Sequence, residues 1–216
     1  SARPDLVLVC TKAQDAEAAI TANAARIDGV PVVVVQNGLD GVATATRLLP
    51  RSSCMGLLSI IAANYTEPGV VRITTTATSY LGRGDGPADA ECVRVAGVLS
   101  GAVRVVAIDG FRGAQWTKLI FNAATNPIGA LTGLTHGRVC EDPALRALVS
   151  GLVDEGKAVA AAEGIEVDED PERLIDHAAR PEVAYEHKAS MLQDVEAKQQ
   201  TEIDFLNGGL VRFGRE

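Results

Sequence analysis

The chain predicts an α/β protein, with a doubly wound, largely parallel sheet over its first half and helix alone over its second. Two observations carry this. Short valine-rich apolar runs alternate with helix-forming stretches as far as about residue 108, and beyond Asp109 the strand signal stops. Strand–helix–strand alternation implies a parallel sheet covered on both faces, at least for its first part. The change of pattern near Asp109 then marks a domain boundary, giving units 1–108 and 109–216.

Taken in order, residues 5–10 and 32–35 form continuous apolar runs of the kind buried on both faces of a sheet. A helix is expected over residues 13–27 and another over 39–48. Residues 57–62, 70–81 and 103–108 complete the expected strands, with a helix over 88–99. In the second half, helices are expected over residues 113–131, 143–163 and 171–179. A long last helix is expected from about residue 183 to 212. Asp170-Pro171 is a start signal, Asp as N-cap and Pro at the first helical position, so the acidic run Asp168-Glu169-Asp170 is read as capping and solvation rather than a metal site.

Composition bounds the function. A chain of 216 residues and 22.5 kDa can bury a substantial core, and 47% hydrophobic content excludes general disorder. A net charge of −8, with Lys and Arg scattered, argues against nucleic acid as partner. Cys10, Cys54, Cys92 and Cys140 lie far apart without a Cys-x-x-Cys pair, which suits free thiols in a reducing cytoplasm. No signal peptide and no apolar run of transmembrane length is seen, so no membrane partner is expected. The three histidines lack metal-ligand spacing, and there is no Gly-x-Ser-x-Gly elbow, so hydrolase readings lack support.

Two polar arrays set in apolar surroundings carry the chemistry. The first is Lys118, Asn122 and Asn126, followed by Pro127. At about 100° per residue these side chains lie within about 80° of one helix face. Trp116, Leu119, Ile120, Phe121 and Ile128 surround them, and polar groups on such a face need partners, because an unpaired buried polar group costs roughly 1–3 kcal/mol. The pattern favours a polar ligand. A partly buried Lys is a suitable acid for protonating a developing alkoxide; alone it would be read as snorkelling to water, but snorkelling needs no amides alongside. The second array runs from Ser190-Met191-Leu192-Gln193-Asp194 to Thr201-Glu202. Its bland readings are a serine bonded back to its own helix and a solvated ladder of Asp194, Lys198 and Glu202. On one continuous helix Ser190 and Glu202 would stand about 18 Å apart, so a shared small substrate requires a break or bend before Lys198.

In the first half, Asn37 ends an expected strand within Gln36-Asn37-Gly38. Asn-Gly suggests a hairpin, but helix follows it, which places Asn37 at the carboxyl end of a parallel strand, where ligands bind. Lys12 also follows a strand end and could meet a phosphate or ribose. Gly82-Arg83-Gly84-Asp85-Gly86 is read as a turn rather than a phosphate loop, since the sixth position would be Pro87.

With these residues assembled, the chain resembles the ketopantoate reductase (2-dehydropantoate 2-reductase) family. The match comprises Trp116-x-Lys118-Leu119-x-x-Asn122-x-x-x-Asn126-Pro127, then Ser190 to Asp194, Thr201-Glu202-Ile203-Asp204 and Asn207-Gly208. It also takes in Lys12-Ala13, Asn37-Gly38, and Ala63 ahead of Pro68-Gly69-Val70-Val71. The resemblance implies a partial Rossmann-like doubly wound sheet, residues 1–108 being the C-terminal part of a dinucleotide-binding domain. Residues 109–216 would form an all-helical substrate and catalytic domain of the 6-phosphogluconate-dehydrogenase-like type. It implies an NADP-dependent oxidoreductase of pantothenate biosynthesis that acts on a small-molecule 2-oxo acid, with a homodimer as candidate assembly. Lys118 would donate the proton; Asn122, Asn126 and Ser190 would hold substrate; Glu202 would sit where substrate hydroxyl and cofactor meet. Lys12, Asn37 and the backbone at Ala63 would line the cofactor. The family's Gly-x-Gly-x-x-Gly loop is expected tens of residues ahead of Ser1, and its last helices beyond Glu216. Other readings are a different β-hydroxyacid-dehydrogenase-like reductase and a catalytically silent binding or oligomerisation fragment.

Overall fold

The structure, a computed structural model, describes residues 3–75 and 77–215. By its internal contacts the chain divides into two compact units, one of residues 1–36 and 40–112 and one of residues 37–39 and 113–216.

The first unit is built on a five-stranded sheet in the order β1-β2-β3-β6-β7. Its elements run β1 (Val7–Val9), α1 (Ala13–Ile27), β2 (Val32–Val34), α2 (Gly41–Leu48), β3 (Cys54–Leu58), β4 (Ala62–Glu67), β5 (Val70–Thr75), β6 (Ser79–Gly82), α3 (Ala90–Leu99) and β7 (Val105–Ala107). β1, β2 and β3 are parallel neighbours, β6 joins β3 antiparallel, and β7 joins β6 parallel. Alternation along β2 shows why the sheet is covered twice. Val32 and Val34 pack with Ala16 and Ile20 of α1 and Val42 and Ala45 of α2, whereas Val33 packs with Met55, Leu81 and the α3 residues Cys92 and Val95. Successive strand residues face opposite ways, so a strand buried throughout feeds two cores.

Two strand expectations need correction. The run 70–81 is not one strand: residues 70–75 belong to β5 and 79–82 to β6, in different sheets. The run 57–62 likewise straddles the end of β3 and the start of β4. β4 and β5 pair as a separate antiparallel hairpin. Its turn is Pro68-Gly69, with Gly69 at φ 85°; proline presets the first corner of such a turn and glycine alone takes the left-handed second corner without strain.

The second unit is helical: α4 (Phe111–Thr132), α5 (His136–Glu141), α6 (Pro143–Ala162), α7 (Pro171–Ala178), α8 (Ser190–Glu196) and α9 (Asn207–Phe213). Among the described residues, no strand lies beyond Ala107 and no helix is long and apolar enough to cross a membrane. Trp116, Leu119, Ile120, Ala124 and Ile128 of α4 form the spine of its core, against Val149, Val153 and Ala160 of α6, Ile175 of α7, Met191 of α8 and Leu206. α6 and α7 start where the sequence says. The side chains of Asp142 and Asp170 accept backbone N–H bonds from Ala144 and Glu172 at 2.9 and 3.2 Å, with proline next in each case.

The long last helix expected over residues 183–212 is overturned. Residues 181–186 are turns, α8 ends at Glu196, and Lys198 takes φ 55°. Gln199 N–H donates to Asp194 O and Lys198 N–H to Val195 O, the two bonds of a Schellman stop. The stop is set by these backbone bonds with lysine in the place glycine usually holds, which is why the helical pattern of the side chains concealed it.

Candidate active site

Helix α4 fixes the first array. Asn126 is buried at 5% exposure, while Lys118 and Asn122 are half-buried among the apolar spine residues. The Lys118 ammonium is surrounded densely enough that burial lowers its pKa to about 8, against an opposing upward pull from the Glu202 charge. Removing a cation from water disfavours the charged form, and a nearby anion restores part of it. The result is an amine whose proton is transferable near neutral pH.

The irregular stretch after α8 supplies Glu202. It is half-buried, lies outside any helix, and accepts a hydrogen bond on Oε2 from Asn37 Nδ2 at 3.1 Å. The solvated ladder of Asp194, Lys198 and Glu202 is therefore excluded, since α8 ends before Lys198. The Glu202 backbone is anchored as well: its carbonyl accepts from the N–H groups of Phe205 and Leu206, each at 3.0 Å. Asn37 is held in turn by the loop that carries it. Gln115 Nε2 of α4 donates to Gly38 O at 2.8 Å, and Gly38 sits at φ 90°, where an added Cβ would come within 3.0 Å of Phe205 O. Only glycine allows so close an approach in that backbone conformation.

Lys118, Glu202 and Asn37 thus come together in one unit, with Asn122 and Asn126 one and two turns along α4 from Lys118. Ser190 is placed differently. It is exposed at the start of α8, and its neighbour Ala189 lies beside Gly129 of α4, whose added Cβ would be 3.7 Å from Ala189 Cβ. Gly129 is roughly 16 Å along α4 from Lys118 at 1.5 Å per residue. Ser190 therefore stands at the far end of the Asn stripe, and a break between it and Glu202 is present, as the shared-substrate argument requires.

Lys12 and Ala63 lie in the other unit. Lys12 is half-buried between β1 and α1, and Ala63 is exposed on β4, paired with Ile73. In the same unit Gln36, at the end of β2, donates its amide N–H to Val9 O at 2.8 Å and Thr11 O at 3.0 Å. Its Oε1 is buried with no hydrogen-bond partner among the described residues, as is Oε1 of Gln14 in the first turn of α1. Two orphaned acceptors at the carboxyl edge of a parallel β1–β2 pair fit a polar ligand in the position that dinucleotides take on such sheets. Sequence reasoning passed over both glutamines, as it did Gln115, because a lone amide on a strand end or helix carries no spacing signal. The Gly82–Gly86 run is a structural turn: Arg83 within it bonds Asp89, Ser53 and Cys54 O.

Comparisons with known proteins find relatives along nearly the whole chain. The family model described as Ketopantoate reductase PanE/ApbA matches residues 1–86, and that described as Ketopantoate reductase PanE/ApbA C terminal matches residues 110–216. A 2-dehydropantoate 2-reductase of Halobacterium salinarum is 33% identical over 214 residues, covering 98% of this chain and 70% of that protein. One from Archaeoglobus fulgidus is 32% identical over 214 residues, with 98% and 70% covered. Among solved structures, a PanE/ApbA family ketopantoate reductase from Ralstonia eutropha JMP134 superposes with TM-score 0.87 at 30% identity, covering 98% of this chain and 69% of that one.

Proposed function

Because the chain belongs to the ketopantoate reductase family, we propose that it reduces a 2-oxo acid, 2-dehydropantoate, to the 2-hydroxy acid pantoate with NADPH, a step of pantothenate biosynthesis. The observation that carries this reading is the amine of Lys118, with its pKa brought down to about 8 by burial, under the field of a Glu202 carboxylate that Asn37 holds. Reducing a ketone needs a proton at the oxygen as negative charge develops there, and an acid titrating near working pH delivers it best.

The bound nicotinamide would supply the hydride to the keto carbon. The chain's own residues do the rest. Lys118 protonates the developing alkoxide, and its cationic form also attracts the ketone oxygen before reaction. Asn122 and Asn126, with amides that both donate and accept, hold the substrate along α4; Ser190 is carried as a substrate residue by the family resemblance alone. Glu202 accepts from the substrate hydroxyl and steadies the protonated form of Lys118. Lys12, Asn37 and the Ala63 backbone would line the cofactor, and the unpaired acceptors of Gln14 and Gln36, beside the β1–β2 pair, are additional partners for it. The reading places residues 1–108 with cofactor and 109–216 with substrate and catalysis. It also extends to a homodimer in the cytoplasm, consistent with four free thiols.

The direct test compares substrates. NADPH consumption should give a kcat/KM for 2-dehydropantoate at least about tenfold above that for 2-oxo acids lacking its hydroxyl, because an unfilled polar site discriminates strongly. Equal values for pyruvate and 2-dehydropantoate would remove the substrate assignment.

A further inference from the structure

Pro127 lies inside α4. Having no N–H, it cannot donate to the carbonyl four residues back, that of Ala123. Ala123 is buried at 2% exposure, so water is no ready substitute, and a buried acceptor left unpaired is unfavourable. The donor comes from 84 residues further on: Asn207 Nδ2 bonds Ala123 O at 2.9 Å. Any other residue at position 127 would offer its own N–H to that carbonyl. The side chain of Asn207 and the proline are therefore complementary parts of one joint.

The joint ties together the two segments that carry the charged groups of the site. Ala123 follows Asn122 directly and is five residues along α4 from Lys118. Asn207 ends a tight turn that begins at Glu202, whose carbonyl takes the N–H groups of Phe205 and Leu206, and Gly208 N–H adds a bond to Ile203 O at 3.0 Å. No slack linker separates Glu202 from Asn207. Leu206, at 1% exposure, seats the turn in the same core as Trp116 and Ile120, which limits how far it can move as a body, while the directional bond from Asn207 to α4 constrains its rotation about that seat.

We propose that Asn207 is a positioning residue: by occupying the carbonyl that Pro127 vacates, it sets the placement of Glu202 relative to Lys118. The proposal rests on the reductase reading for its kinetic consequences and on geometry alone for its effect on stability. Without the bond, the turn keeps its own backbone bonds, its apolar seat and the Asn37 contact to Glu202, but loses its side-chain tie to α4, and Glu202 is held less firmly relative to the ammonium. The carboxylate then supports the protonated lysine less well, and the substrate site on the Asn face is left largely intact. A loss in kcat with little change in KM is the expected signature.

The test is a cycle of Asn207→Ala, Pro127→Ala and the double variant in the full chain. Asn207→Ala should lower the thermal midpoint, reduce kcat about tenfold with KM within about twofold, and move the alkaline limb of kcat to lower pH. In the double variant, the alanine that replaces Pro127 supplies an N–H to Ala123 O. The midpoint should recover, but kcat and the limb should not, since the tether is still missing. An unchanged kcat and limb in Asn207→Ala would overturn the proposal. So would recovery of kcat together with the midpoint in the double variant, which would make the bond a helix repair and nothing more. Failure of the wild-type chain to consume NADPH with 2-dehydropantoate would sink the reductase reading without touching the stability cycle. A flat stability cycle would sink this proposal without touching that reading.

Discussion

Helix α4 and the stretch from Lys198 to Asn207 deliver the two charged groups of the site by different means. α4 runs 22 residues without interruption and carries Lys118, Asn122 and Asn126 on a face flanked by five core residues. Their relative positions follow from helical geometry alone. The second stretch has almost no regular structure; Glu202 is placed by a left-handed stop at Lys198, a turn closed on its own carbonyl, a bond from Asn37 and a bond from Asn207 to α4. The first arrangement is local and robust. The second depends on long-range partners, each of which can be removed singly, so the two regions should respond differently to substitution.

The largest effect is expected on the helix. Lys118→Ala should lower kcat by roughly 10²- to 10⁴-fold, the range for loss of a general acid, while cofactor affinity changes little. Near-normal turnover would return Lys118 to the snorkelling reading and leave α4 as scaffold only. In the irregular stretch the effect should be smaller, because in the proposed mechanism Glu202 acts on charge and orientation rather than donating the proton. Glu202→Gln should reduce kcat/KM by at least about tenfold, or about 1.4 kcal/mol. An unchanged value would mean that the ordered turn serves packing alone. The smallest effect is at the stop itself. A non-glycine residue in the left-handed region is strained by roughly 1 kcal/mol, so Lys198→Gly should raise stability in urea by up to that amount with kcat unaltered. A loss of stability would show that the lysine side chain holds the stop.

The same division explains what could be read from the sequence. The α4 stripe was legible because its spacing matches the helical period and its neighbours are plainly apolar. The double winding was legible from valine runs, and the Asp170 cap from the proline that follows it. The β4–β5 hairpin was not, although Pro68-Gly69 is a turn signal, because strand-forming Val, Ile and Thr dominate 70–76 and no proline or glycine interrupts the run before β6. The end of α8 was hidden for a related reason: residues 183–212 hold no proline, and no glycine until Gly208, so nothing announces the stop at Lys198. Glu202 could be singled out by its place in the array, but its partner Asn37 lies 165 residues away and no periodicity links them. Pro127 announces a vacant carbonyl, yet only the fold shows that Asn207 fills it.

In the proposed mechanism, burial tunes Lys118 to work as an acid under the charge of Glu202. This is tested most directly by the pH dependence of kcat for reduction, in the wild type and in Glu202→Gln. A proton donor must be protonated, so the rate should hold below its pKa and fall above it. Burial lowers that pKa to about 8, which places the fall near pH 8 rather than near the ordinary lysine value of about 10.4. Removing the carboxylate takes away the influence that raises it, so the fall should move to lower pH in Glu202→Gln. For the reverse oxidation, which needs the neutral amine, the rate should instead rise through the same pH. A wild-type rate that stays level to pH 10, or a limb that Glu202→Gln leaves in place, would contradict the account.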